Sequence, residues 1–121
     1  SLDEFVKQNN ATHKGGRINV NLLEVDENLR DETSPLFGKE VIITGALSKM
    51  TKSTAYTIVK SIGGIPKDGV PSKKTRFLVI ADKEYEDETR KKKKAREKIE
   101  NGQDLEILSE SVFYDMIGVE D

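Results

Sequence analysis

Apolar residues in this chain alternate between short β-branched runs and stripes at helical spacing, beginning just after residue 35. Residues 40–44 (EVIIT) and 76–80 (RFLVI) are nearly continuous in apolar residues. This pattern is typical of strands that are covered on both faces. Shorter runs at 65–67 and 105–108 predict two further strands.

Three other stretches carry the spacing or the end signals of helices. The first has an apolar stripe of four residues: Ala55, Ile58, Val59 and Ile62. Thr51 or Ser53 is expected to cap its start, and the Gly63-Gly64 pair to end it. The second is the basic stretch 89–100, and the third follows a Ser109 cap. The apolar face predicted for the third helix contains Val112, Phe113, Met116 and Ile117.

The resulting order, β-α-β-β-α-β-α, predicts an α/β fold, with a parallel four-stranded sheet flanked by three helices. Residues 1–34 lack this periodicity and are polar, with few apolar side chains to offset ordering entropy. We therefore expect residues 1–34 to be a flexible linker or tail, with a short helix near 2–7, and residues 35–121 to form the domain. Ser1 is typical of an expression remnant, so we expect the chain to be a piece of a larger protein.

The composition narrows the classes of function. Of 121 residues, 35% are hydrophobic and 35% charged, which suits one small core under a solvated surface. Cysteine is absent, so disulfides, thiolate chemistry and the usual zinc-ribbon spacings are excluded. No apolar stretch approaches the ~20 residues that span a bilayer. We expect a cytoplasmic protein with no membrane partner.

Catalytic motifs are missing from the sequence. The single histidine, His13, lies in the polar segment without a partner motif, so no serine triad can form around the serines near Ser109. The acidic stretch 82–88 lacks the glycine and ligand spacing of an EF-hand loop. No P-loop and no Gly-x-Gly-x-x-Gly motif occurs, and no cofactor or metal is predicted. We expect a binding module and not an enzyme.

One junction has the chemistry of an anion site. Thr44 ends a predicted buried strand, and Gly45 follows it directly before a helix. A hydroxyl there can donate to an anion, and a glycine lets the anion approach the backbone N–H groups. Ligands of open α/β sheets bind beyond the carboxyl ends of the strands. The alternative is that Thr44 only ends the strand and Gly45 only turns the chain.

Four segments together resemble the BRCT family: LFGKEVIITGAL (36–47), IVKSIGG (58–64), SKKTRFLV (72–79) and LEILSESVFYDMI (105–117). The resemblance covers residues 35–118. Where many members have tryptophan in the last helix, this chain has Phe113 and Tyr114. The sequence looks most similar to the C-terminal BRCT domain of bacterial exonucleases that resemble the DNA polymerase III epsilon subunit. The BRCT domain of bacterial NAD-dependent DNA ligase is a near second.

The resemblance implies two helices on one face of the sheet, one on the other, and a pocket for a DNA 5′-phosphate. Carried onto this chain, the pocket residues are Thr44, Gly45, Lys52, Lys91 and, if the register shifts by one, Lys92. The implied function is a non-catalytic module of a replication or repair protein that recognises DNA ends, nicks or gaps for a catalytic domain of the parent chain.

Two alternatives stay open. The lysine run 91–94 is equally typical of a solvated helix face. The acidic residues just before it weaken its positive electrostatic potential. The domain can also be a protein or phosphopeptide interaction module that recruits a replication or repair partner.

Overall fold

The computed structural model describes residues 18–119. The predicted short helix at 2–7 and His13 lie outside the described residues. The strands are β1 (Glu40–Thr44), β2 (Ile65–Lys67), β3 (Thr75–Ile80) and β4 (Glu106–Ser109). They form one parallel sheet in the order β2-β1-β3-β4. The predicted α/β class and the four-stranded parallel sheet are confirmed.

Three helices complete the fold: α1 (Lys52–Ile62), α2 (Arg90–Glu100) and α3 (Glu110–Ile117). Each begins at a hydroxyl side chain that accepts a backbone N–H three residues on; the caps are Thr51, Thr89 and Ser109. Of the two caps predicted for α1, the structure uses Thr51. Gly63 ends α1 with φ at +116°, a left-handed conformation that favours glycine.

The sheet separates two groups of buried side chains. On one face, α1 and α3 pack over β1 and β3, with Tyr56 and Phe113 among the largest buried side chains. On the other face, Ala95 of α2 packs over Ile42 and Leu78. Two helices therefore cover one face and one helix covers the other.

The buried face of α3 differs from the predicted one. Val112 is 44% exposed, whereas Tyr114 and Glu110 are 2% and 1% exposed. Phe113 and Ile117 are buried as predicted, so the helix is rotated toward Glu110 and Tyr114 relative to the prediction. The reason is tertiary, because the Glu110 carboxylate accepts hydrogen bonds from loops that pack on this helix.

Residues 18–34 contact α1. Lys60 Nζ donates to the carbonyl oxygens of Val20 (3.2 Å) and Leu23 (3.1 Å). Two backbone N–H groups of the same stretch donate to the end of α1, that of Asp26 to Ser61 Oγ (2.9 Å) and that of Asp31 to the Ile62 carbonyl (3.0 Å). The domain boundary at residue 35 and the flexibility of the preceding residues stay predictions. The hydrogen-bonded amides of this stretch can be used to test them.

Hydrogen exchange can test the flexible-linker prediction at individual amides. Among residues 18–34 only Ile18 is buried, and Val20 and Leu23 are partly buried against the same core, so opening this stretch exposes less apolar surface than opening β1. We expect the amides of Asp26 and Asp31 to exchange much faster than those of residues 41–44 in β1. Protection of the two amides equal to that of β1 would contradict the prediction and move the domain boundary to before residue 18.

Candidate functional site

The carboxyl ends of three strands are level at one edge of the sheet. Thr44 of β1 lies beside Ile80 of β3, and Ile80 lies beside Ser109 of β4. The Ala81 N–H donates to the Thr44 carbonyl (3.0 Å) and extends this pairing one residue past β3. The loops that follow β1 and β3 therefore start side by side, at the edge where α/β folds hold ligands.

Gly45 begins the loop between β1 and α1 and is confined by its surroundings. Its φ is +92°, in the left-handed region. A Cβ at this position would lie 2.1 Å from Glu84 Oε2 and 2.8 Å from the Ala81 Cβ. The next residue, Ala46, donates its N–H to the same Glu84 oxygen (3.2 Å). The Glu84 carboxylate thus lies against the backbone that the sequence assigns to a bound anion.

The Asp68 carboxylate pairs with Lys52 and also acts on the charge of Lys91. Lys52 is the first residue of α1, and its Nζ lies 3.5 Å from Asp68 Oδ1. Burial lowers the pKa of Lys91 at the start of α2; the charge of Lys52 lowers this pKa further, and Asp68 opposes the change. α1 and α2 lie on opposite faces of the sheet and both begin at its carboxyl edge, so these two predicted residues share that edge, where the charge of Lys52 acts on Lys91.

Asp68 is fixed between these lysines and the N-terminal stretch. Its side chain is 12% exposed. Asp68 Oδ2 accepts the Ile18 N–H (3.3 Å), and Oδ1 accepts a weak hydrogen bond from the Tyr56 hydroxyl (3.4 Å). Asp68 therefore offsets part of the positive charge of the two lysines.

Lys92 points elsewhere. Its Nζ donates to the Tyr85 carbonyl and lies 5.0 Å from the centre of the Tyr85 ring. Further along α2, Arg96 forms a two-pronged ion pair with Glu88 (2.7 and 3.0 Å), so an upstream acid neutralises part of the basic stretch. Of the two lysines that the sequence left as alternatives, Lys92 is engaged with Tyr85, whereas the charge of Lys52 acts on Lys91.

Sequence reasoning missed Glu110, the first residue of α3. Its carboxylate accepts the N–H and the hydroxyl of Ser48 (2.5 and 2.7 Å), the Asp82 N–H (2.8 Å) and the Tyr114 hydroxyl (2.6 Å). Burial raises the pKa of Glu110, but the four hydrogen bonds outweigh it and the pKa is lowered. Glu110 therefore ties together the loops after β1 and β3. The sequence showed only an acidic residue in the first turn of a predicted helix. Such a residue suits the helix N-terminus whether it is exposed or buried, so it does not predict burial.

Within residues 18–119, no group of three or more histidine, cysteine, aspartate or glutamate side chains could hold a metal ion. None of the helices in that part of the chain is long and apolar enough to cross a membrane. The predicted absence of catalysis and of a cofactor stays a prediction.

Comparison with known proteins gives partial matches, and no family model matches the chain. It is 41% identical over 56 residues to a DNA ligase of Syntrophus aciditrophicus, covering 46% of this chain and 8% of the ligase. It is 41% identical over 46 residues to a DNA ligase of Dehalococcoides mccartyi, covering 38% of this chain and 7% of the ligase. It is 42% identical over 66 residues to a DNA ligase of Chlamydia caviae, covering 54% of this chain and 9% of the ligase.

These matches span less than a tenth of each ligase. Together with the four-stranded parallel sheet, they support a BRCT-like domain and a module connected with DNA replication or repair. The likeness to epsilon-type exonucleases stays a prediction.

Proposed function

We propose that this chain is a non-catalytic DNA-binding module that holds the 5′-phosphate of a DNA end, nick or gap for the catalytic domain of its parent protein. The observation that carries the proposal is that α1 and α2 both begin at the carboxyl edge of the sheet, with Lys52 and Lys91 in their first turns and the charge of Lys52 acting on Lys91. Thr44 and Gly45 end the central strand at the same edge. The parent protein is an exonuclease or a DNA ligase in this proposal.

The electrostatics of the lysine pair favour an anion. The charge of Lys52 lowers the pKa of Lys91, so a negative ligand beside both lysines would relieve this repulsion, which the Asp68 carboxylate offsets only in part. A terminal phosphate carries up to two negative charges and an internal phosphodiester only one, so the lysine ammonium groups attract a terminal phosphate more strongly.

Binding to duplexes that differ only in the 5′-phosphate tests the proposal. We expect tighter binding to the phosphorylated duplex, with the difference shrinking as salt rises because lysine–phosphate contacts release counterions. Each such contact contributes roughly 0.9 to the log–log slope against salt concentration. The measurement is a fluorescence-anisotropy titration at two salt concentrations. Equal affinity for the two duplexes at low salt would reject recognition of a terminal phosphate.

A second candidate function, binding of a protein or phosphopeptide partner, has its own support. β2 is an edge strand of the sheet, and an open groove of about 500 Å³ runs beside it. Ile18, Val20 and Pro66 are among its lining residues, and the adjacent Ile65 is 51% exposed. A groove along an unpaired strand suits an extended peptide. A protein interface with an apolar centre would show little salt dependence, and a module that binds only protein would show no phosphate-dependent affinity in the DNA titration.

A further inference from the structure

Glu84 occupies the place that the proposed function assigns to a phosphate. It ends the 3-10 turn Asp82–Glu84, and its Oε2 accepts the Ala46 N–H (3.2 Å). The same oxygen would lie 2.1 Å from a Cβ built on Gly45, so the carboxylate is in close contact with that backbone.

The turn that carries Glu84 is anchored beside β1. The Glu84 N–H donates to the Ala81 carbonyl (2.9 Å), and the Ala81 N–H donates to the Thr44 carbonyl (3.0 Å). These two backbone hydrogen bonds hold Glu84 next to the end of β1. Its carboxylate therefore lies close to the loop that follows β1.

A carboxylate and a phosphate cannot both use this backbone. Both are anions that accept N–H groups, and two negative charges in contact repel each other. A phosphate that approaches Gly45 must therefore displace the Glu84 side chain, which is partly exposed to solvent.

We propose that Glu84 is an internal competing ligand, which occupies the Gly45–Ala46 backbone until a 5′-phosphate displaces it and so lowers the affinity of the site. This inference rests on the proposed phosphate site and adds to it the residue that sets its affinity. Asp68 has a different role, because its partners on three sides keep it in place whether or not an anion is present.

The test compares the chain as it stands with Glu84→Gln and Glu84→Ala. Glu86→Gln is the matched control, since Glu86 is exposed, lies two residues further along the same loop and loses the same charge. Each protein is titrated with a 5′-phosphorylated duplex and with the 5′-hydroxyl duplex of the same sequence. Loss of Glu84 should leave the fold intact, because Ala46 is exposed and water can replace the lost acceptor.

We expect Glu84→Gln and Glu84→Ala to bind the phosphorylated duplex about five- to ten-fold tighter, the size expected for one partly exposed charge contact. Glu86→Gln should change the affinity for both duplexes equally and by less. A phosphate preference that appears only when Glu84 is replaced would also support the inference.

Two results would overturn it. If the unmodified chain prefers the phosphorylated duplex but both Glu84 variants bind it no more tightly, Glu84 only supports the loop and the phosphate site stands. If Glu84→Gln and Glu86→Gln strengthen binding to both duplexes alike, the effect is one of net charge. Absence of any phosphate preference in all four proteins would reject the proposed function itself, together with this inference.

Discussion

Glu110→Ala is expected to destabilise the domain by about 2–4 kcal/mol, because four donor groups on three residues lose an ionised acceptor. The Tyr114 hydroxyl is the costliest of these to leave unpaired, since Tyr114 is 2% exposed and contacts Glu110 at 2.6 Å. The N–H groups of Ser48 and Asp82 belong to exposed residues, so water replaces part of what they lose. Urea unfolding followed by circular dichroism measures the change.

Glu97→Ala is the matched control for this prediction. Glu97 is exposed on α2, and replacing it removes the same side chain from a helix surface. We expect that variant to remain within about 0.5 kcal/mol of the original chain. A Glu110→Ala protein that unfolds at the same urea concentration as the Glu97 variant would show that the hydrogen bonds of Glu110 contribute no net stability.

Because the pKa of Glu110 is lowered, the stability that Glu110 contributes to the fold depends on pH. Hydrogen bonds hold this pKa below its ordinary value of 4.5 despite burial, so the folded state favours the ionised form. The contribution is complete above pH 4.5 and is lost as pH falls through the lower pKa of the folded state. The stability difference between the original chain and Glu110→Gln should therefore shrink as the solution is acidified below pH 4.5. Tyr114 stays a donor throughout, because burial and Glu110 raise its pKa.

The strands and helices could be predicted because their signals are local. A continuous apolar run such as residues 40–44 marks a covered strand wherever it occurs in a chain. The caps Thr51 and Ser109 act on amides three residues away. The buried face of α3 could not be predicted in the same way. Its orientation depends on Ser48 and Asp82, which lie 62 and 28 residues away from Glu110 in the sequence.

The candidate site likewise has features that could be predicted from the sequence and features that could not. Parallel strand order places the start of α1 and the start of α2 at one edge, so the approach of Lys52 and Lys91 was predictable. The sequence could not decide between Lys91 and Lys92, because the choice depends on the rotation of α2 and on the contact of Lys92 with Tyr85. The acids near residue 84 were expected to weaken the field of the lysine run. One of these acids, Glu84, lies against the Gly45–Ala46 backbone. This contact depends on the conformation of the 3-10 turn.

Lys91→Ala is expected to weaken the complex with a 5′-phosphorylated duplex by roughly ten- to a hundred-fold, because a charge-assisted hydrogen bond contributes about 1.5–3 kcal/mol. Lys91 is half-buried beside Lys52, so no other side chain of the lysine run replaces it easily. The affinity for the 5′-hydroxyl duplex should change far less. Anisotropy titration of both duplexes at low salt measures the difference.

Three variants give this prediction its controls. Lys93→Ala and Lys98→Ala remove charges from the same helix, and we expect smaller effects that do not depend on the terminal phosphate. Thr44→Val keeps the side-chain shape and removes the hydroxyl; the domain should remain folded, because the Thr44 carbonyl and not its side chain bonds Ala81. That variant should lose part of the phosphate preference. If all the lysine changes weaken every duplex equally, the start of α2 is a diffuse basic surface, and Thr44 and Gly45 only end a strand.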